Sequence, residues 1–404
     1  MCRFIFISLL LFCGKNLFAQ TEKSYPTKDA RYKFYEDFSK KYNSPAILEI
    51  WKADKTKSFD EYVDGKSQAD LLESYATVIH ELLHAYNETE NNGHTYFIDA
   101  GTRIHVPFTE VFNSKELNKY VRKGLQDSVF RYGLYIGGKS ELPGLGKVKG
   151  VNDSKQNEAM SVQLGVYGIL EEFSAYYFGA EAAYENYDFY LTTYGKDKEE
   201  IWETYSQELE GELVAFYEFQ LFMAWYLNYA KEKHPKMYTE IHNNKAFKVV
   251  YSLIFDKYQD LVNKTAERKN EIASWSKTKE NTSTSDLDFS GSEEDFLRFL
   301  VLAGLKPEEI YKEKTETVNG KKVTNKEFIL EEEDLAMLKT EYQNFVKQYQ
   351  QATKNEVKGD MLLFYSQFDK QFEFLKKQFT PKVTEELQKL YLQGVTSKNY
   401  QSYL

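Results

Sequence analysis

Cysteine is almost missing from this chain of 404 residues: Cys2 and Cys13 are the only two, both within the first 13 positions. Neither a disulfide framework nor a thiolate zinc cluster can be built from that supply. Proline (7) and glycine (21) are scarce beside 29 Phe and 32 Tyr, which excludes collagen-like, low-complexity and wholly disordered chains. A basic excess is also absent, since 62 Asp and Glu outnumber 52 Lys and Arg. No nucleic-acid partner is therefore expected. Long apolar runs are missing too. The nearest, Leu213 to Ala230, contains Glu218, Gln220 and Asn228, and a mid-helix glutamate is costly in lipid, so the run reads as a buried core helix of a soluble domain.

What is present begins with an address. Residues 1–20, MCRFIFISLLLFCGKNLFAQ, combine Arg3, an apolar stretch from Phe4 to Phe12 and a cleavage site at Leu17-Phe18-Ala19. That is the anatomy of a secretory signal peptide, and the apolar stretch is far short of the about 20 residues a permanent span needs. Leu10-Leu11-Phe12-Cys13 offers a lipid anchor at Cys13 as the lesser alternative, because a lipidated cysteine follows a small residue and here follows Phe12. Cleavage would remove Arg3 and Lys15 and leave a cysteine-free chain of net charge −12 without a transmembrane helix, secreted or periplasmic.

Residues 21–66 read as a short helical lead-in with scattered aromatics. From Ser67 to Asn87 the run SQADLLESYATVIHELLHAYN has Leu72, Ala76, Ile79 and Leu83 at helical spacing, with Ser67 as N-cap and Asp70 three residues on. An amphipathic helix is predicted. His94 to Phe108 then reads as two short strands around a turn at Asp99-Ala100-Gly101. Seven glycines or prolines fall within 133–153, which predicts a long surface loop and, around Gly137-Gly138, a flap over a cleft. That loop lacks the Lys-Ser/Thr of a phosphate-binding loop. Helical patterning resumes over 160–186 and 198–233.

Residues 276–292 are rich in Ser, Thr and charge and read as a linker. Val318-Asn319-Gly320-Lys321 signals a hairpin. Two stripes, Leu335 to Tyr349 and Phe364 to Phe379, point to packed helices or a coiled coil. The expected architecture is mainly α with a small β-hairpin: signal peptide 1–20, a main domain over 21–275, the linker 276–292 and a helical C-terminal region over 293–404. Asn87-Glu88-Thr89 and Asn281-Thr282-Ser283 fit the glycosylation sequon, a triplet that also arises by chance.

The chemistry sits in His80-Glu81-Leu82-Leu83-His84, an HExxH motif. Residues four apart stack on one helix face, so both imidazoles can reach one metal ion, with Glu81 placed to act as general base. Two histidines leave the ligand set incomplete. The metzincin extension is excluded, because Asn87 stands where that motif needs Gly and Glu90 where it needs His. A glutamate on a second helix is the other solution. Glu171 and Glu172 lie in the aromatic run Gly168 to Tyr177, where two adjacent carboxylates demand a cation or metal.

HELLH together with Glu172-Phe173-Ser174-Ala175 resembles the zinc metallopeptidases of the gluzincin class. The resemblance covers about thirty residues in two pieces and implies a zincin-like helical domain, Zn²⁺ held by His80, His84 and Glu172, and Glu81 as the catalytic base. The family pattern usually continues with an Asp that orients a histidine ligand, and Tyr176 stands there instead. Glu171 and, on the long helix, Glu212 or Glu218 are alternative third ligands. Tyr176, Tyr177, His94 and His105 are candidate donors to a developing oxyanion; His234 and His242 read as surface groups.

The expected function is an exported zinc metallopeptidase acting on peptide or protein substrates. A non-catalytic exported binding module with a structural zinc site, and a zinc hydrolase of a non-peptide bond, stand as alternatives.

Overall fold

The computed structural model describes residues 23–90, 92–121, 131–139, 141–142, 146–147, 159–273 and 275, a hairpin over 311–318 and 321–329, and short pieces between 335 and 343 and between 389 and 404. The leader with Cys13, the linker, the Asn281 triplet and most of the two C-terminal stripes lie outside the described residues. The chain is mainly helical with a small antiparallel sheet.

Two short helices open it, α1 (Lys28–Tyr42), with Thr27 as N-cap, and α2 (Pro45–Ala53). Ser44 caps α2 and Pro45 occupies its first turn, where a missing N–H costs nothing. A 3₁₀ turn over Ser58–Tyr62 leads to α3 (Gln68–Tyr86), which carries HELLH. The capping box is complete. Ser67 Oγ accepts from Asp70 N at 3.1 Å and Asp70 Oδ2 accepts from Ser67 N at 2.9 Å. Gly65, at φ 110°, makes room for it, since a Cβ there would sit 2.2 Å from Asp70 Oδ2.

The amphipathic expectation for α3 is corrected. Every residue from Ser74 to Leu83 is buried, because the helix lies between layers. α2 and the 3₁₀ turn cover one side and the later helix over Val166–Glu185 the other. A helix covered all round has no solvent face to keep polar.

The sheet follows directly, in the order β1 (Glu88–Glu90), β2 (Gly93–Asp99) and β3 (Thr102–Pro107), with a bulge between Phe97 and Asp99. The two expected strands are there; β1 is an addition. Asn87, the C-cap of α3, accepts the Phe97 N–H on Oδ1 at 2.8 Å and so ties the helix end to the strand.

The glycine-rich stretch differs from the expected surface flap where it is described. Residues Gly133–Gly137 form a π-helical turn with Leu134, Tyr135, Ile136 and Gly137 buried. Two-residue strands β4 (Glu141–Leu142) and β5 (Gly146–Lys147) follow.

The expected 160–186 helix is broken into one turn, α4 (Met160–Gln163), and α5 (Val166–Glu185). The break is at Gly165, φ 53°, where a side chain would collide with the Tyr226 hydroxyl. α5 is the central helix, with 16 of its 20 residues buried. Around it run α6 (Tyr187–Tyr194), the long α7 (Glu199–Lys233), α8 (Pro235–Asn243) and α9 (Lys245–Ala273). The apolar run on α7 is a core element as expected: Phe216, Phe222, Trp225 and Tyr226 are buried. No helix among the described residues is long and apolar enough to cross a membrane.

The hairpin β6 (Tyr311–Val318) and β7 (Lys321–Phe328) pairs Val318 with Lys321, the register Asn319-Gly320 predicts. Near the C-terminus the chain returns to the main core. Leu390 and Val395 join it, Tyr391 donates to Asp256 on α9, and Leu392 N donates to Ser252 Oγ at 2.9 Å.

Candidate metal centre

The centre forms where α3 and α5 face each other. His80 Nε2 and His84 Nε2 are 3.0 Å apart, as a four-residue helical step allows. Glu172 Oε2 lies 3.6 Å from the first and 3.5 Å from the second. Some point near the plane of these three atoms is about 2 Å from each, the distance zinc takes to imidazole nitrogen and carboxylate oxygen. His80, His84 and Glu172 could hold a metal ion. Glu172 Oε2 is buried and has no hydrogen-bond partner, and a carboxylate oxygen left so is costly unless a cation satisfies it.

The electrostatics favour a cation at that point. Burial works against the charge on Glu172, yet His84 and His80 hold its pKa well below the usual carboxylate range. His84 shows the reverse: burial works against the imidazolium, but Glu171 and Glu172 raise its pKa well above the ordinary value. For His80 burial dominates and lowers the pKa, with the neighbouring Glu172 carboxylate opposing it.

Glu81, on the same turn, is 4% exposed. Burial pushes its pKa up to about 8, against the pull of His84 and with help from Glu172 and Glu171. A proton acceptor poised near neutrality suits general-base work.

The competing ligand Glu171 is placed elsewhere. Its Oε2 lies 2.5 Å from His84 Nδ1, on the opposite edge of the ring from the three converging atoms. Asn87 Nδ2 donates to its Oε1 at 3.3 Å. His94 is brought close as well: its Nε2, buried and without a hydrogen-bond partner, is 4.0 Å from Glu171 Oε1, while Nδ1 meets Thr89 Oγ1 at 2.7 Å. Its burial, at 1% exposure, was not legible from a strand position.

Other expected residues are not brought in. Glu218 is committed to Arg131, whose guanidinium Nη1 donates to it at 2.7 Å and whose backbone N–H donates at 3.2 Å. The Glu212 side chain lies outside the described residues. His105 is exposed on β3 against Thr95. Tyr177 packs on Phe178 and Tyr258 instead. His234 stacks on Phe112, and His242 packs against Tyr238; neither joins the centre.

Tyr176 does reach it. Its ring meets His80 edge-on at 4.6 Å between centroids, and its hydroxyl is 2.8 Å from that of Tyr135. Arg131 lies over the Tyr176 ring at 4.8 Å. Tyr135, Arg131, Asn87 and Thr89 are the neighbours that sequence reasoning missed. Tyr135 is one of 32 tyrosines and carries no local signal, whereas Asn87 had one, as the polar cap three residues after HELLH.

Comparison with protein families, with characterised proteins and with solved structures gives no match to this chain. The site's own geometry therefore carries the functional reading.

Proposed function

We propose that this chain is an exported zinc metallopeptidase of the gluzincin class, with a zincin-like main domain. The observation that carries the reading is the convergence of His80 Nε2, His84 Nε2 and Glu172 Oε2 beside a buried Glu81. Two imidazole nitrogens and one carboxylate oxygen form a donor set suited to zinc, and three protein ligands leave one position for reactants. The leader-like residues 1–20 support export.

In this reading His80, His84 and Glu172 hold the ion. When bound, zinc lowers the pKa of water and polarises the substrate carbonyl. Glu81 takes the proton from the attacking water and delivers it to the leaving amine. Its burial keeps bulk water from competing for that proton. Tyr176 packs edge-on against the His80 ring, and its hydroxyl, paired with that of Tyr135, is the candidate donor to a developing oxyanion.

The test is metal content together with digestion of a peptide library by wild type and Glu81→Gln. Stoichiometric zinc in both, cleavage by wild type, and a loss of at least about a hundredfold in the variant are expected. Wild-type protein without zinc, or a variant that cleaves equally well, would overturn the reading.

A further inference from the structure

We propose that Glu171 is the positioning residue of this centre: its carboxylate holds the proton of His84 on Nδ1, so that Nε2 presents a lone pair to the ion. The inference rests on the zinc reading above and assigns a task to a residue that reading leaves outside the ligand set.

The geometry is specific. Glu171 Oε2 lies 2.5 Å from His84 Nδ1, while His84 Nε2 points to His80 and Glu172 on the other side of the ring. Glu171 is 2% exposed, and a buried carboxylate is retained only where partners satisfy it. Its other oxygen accepts from Asn87 Nδ2, and Asn87 in turn accepts from Phe97 N. The carboxylate is thereby braced by a side chain that β2 itself holds in place, and cannot swing away from the ring without losing the Asn87 hydrogen bond. A carboxylate behind a histidine ligand sets its tautomer and raises its basicity. Tyr176, at the position where the resembled pattern has an acid, brings no charge. The preceding glutamate pair divides the work instead, one residue ligating and the other orienting.

A purely structural role is the competing explanation, with Glu171 serving only to anchor Asn87. Glu171→Gln separates the two. The amide oxygen can keep the bond from Asn87, but the amide NH₂ then faces His84 Nδ1 and makes that nitrogen an acceptor. The ring proton moves to Nε2 and blocks the lone pair. Asn87→Ala does the converse, cutting the tie to the sheet and leaving the carboxylate beside the ring.

The experiment uses the full chain and two readouts independent of turnover: zinc affinity by chelator competition, and the visible spectrum after Co²⁺ substitution. For Glu171→Gln we expect zinc bound about 10–100-fold more weakly with an altered Co²⁺ spectrum, and a metal-free unfolding temperature no lower than wild type. For Asn87→Ala we expect a lower unfolding temperature and zinc affinity within about threefold of wild type. Equal zinc binding by wild type and Glu171→Gln would overturn the positioning role alone. An equal loss in both variants would do the same, pointing to anchoring. Wild-type protein that binds no zinc would overturn the underlying reading as well.

Discussion

The central helix α5 carries two pairs of glutamates, and their chemistry is opposite. Glu171 and Glu172 have lowered pKa values, although burial works against their charge, because His84 and its neighbours outweigh it. Glu181 and Glu185, about two and a half to four turns further on, have raised ones. For Glu181 burial outweighs Lys257 and the Tyr177 hydroxyl; for Glu185 burial, with Glu181 adding to it, outweighs the Ser44 backbone N–H that donates at 2.8 Å. Desolvation acts at both ends and differs little in kind. What differs is whether a group able to carry positive charge stands within contact distance, as His84 does beside Glu171 and none of the described residues does beside Glu185. Burial of a carboxylate alone therefore does not mark a site; burial with converging imidazoles does.

The largest expected effect tests that distinction directly. Glu172→Ala removes a ligand atom and should weaken zinc binding by more than about a hundredfold, beyond what a merely orienting residue supplies. Glu181→Gln, a change of the same residue type on the same helix, should leave zinc affinity within about twofold. Chelator competition on both variants decides it. Comparable losses in the two would mean that the helix as a whole, and not the pairing at one end, makes the centre.

The metal-centre end of this contrast was largely legible in the sequence, and the reason is local; nothing there singled out Glu181 or Glu185. HELLH fixes two imidazoles on one face by helical geometry alone, and an adjacent Glu-Glu in an aromatic run announces an unpaid electrostatic cost. The capping box at Ser67 and the Asp99-Gly101 turn are likewise short-range signals that the structure retains. The division of labour between Glu171 and Glu172 was not readable, because it depends on which edge of the His84 ring each one meets. His94 and Asn87 join Glu171 through the way β2 docks on α3, a long-range event. The buried turn around Tyr135 was missed because its glycines suggest a loop, while its burial depends on Phe219 of α7 and on Tyr176.

Glu185 supplies the next effect, on stability. Its pKa is raised to about 7 in the folded state, against about 4.3 for an unperturbed glutamate. A carboxyl raised on folding binds its proton more tightly in the native state, so stability is greatest below the unfolded pKa and falls as pH rises towards 7. The loss between pH 5 and pH 8 should be about 2 kcal/mol, reduced from the full shift because the side chain is only partly buried. Glu185→Gln, which can still accept the Ser44 N–H, should flatten that slope. Urea unfolding at the two pH values measures it, and a slope unchanged in the variant would place the titration elsewhere.

The smallest expected effect asks whether a more distant cation does for Glu181 what His84 does for Glu171. Lys257 pairs with Asp99 at 2.8 Å, with side chains 24% and 43% exposed, and it is the strongest influence opposing burial at Glu181. Lys257→Ala should cost less than about 1 kcal/mol, because half-exposed pairs are weak. The cost should also depend on pH. While Glu181 keeps its proton, loss of the lysine changes little beyond the pair with Asp99. Once rising pH ionises Glu181, the carboxylate lacks its largest offset to burial, the folded-state pKa rises further, and the penalty grows. Chemical unfolding of wild type and variant at low and high pH gives the two differences. Equal penalties would mean that Lys257 serves Asp99 alone and leaves Glu181 to the weaker pull of Lys264, which would widen the contrast with the metal centre.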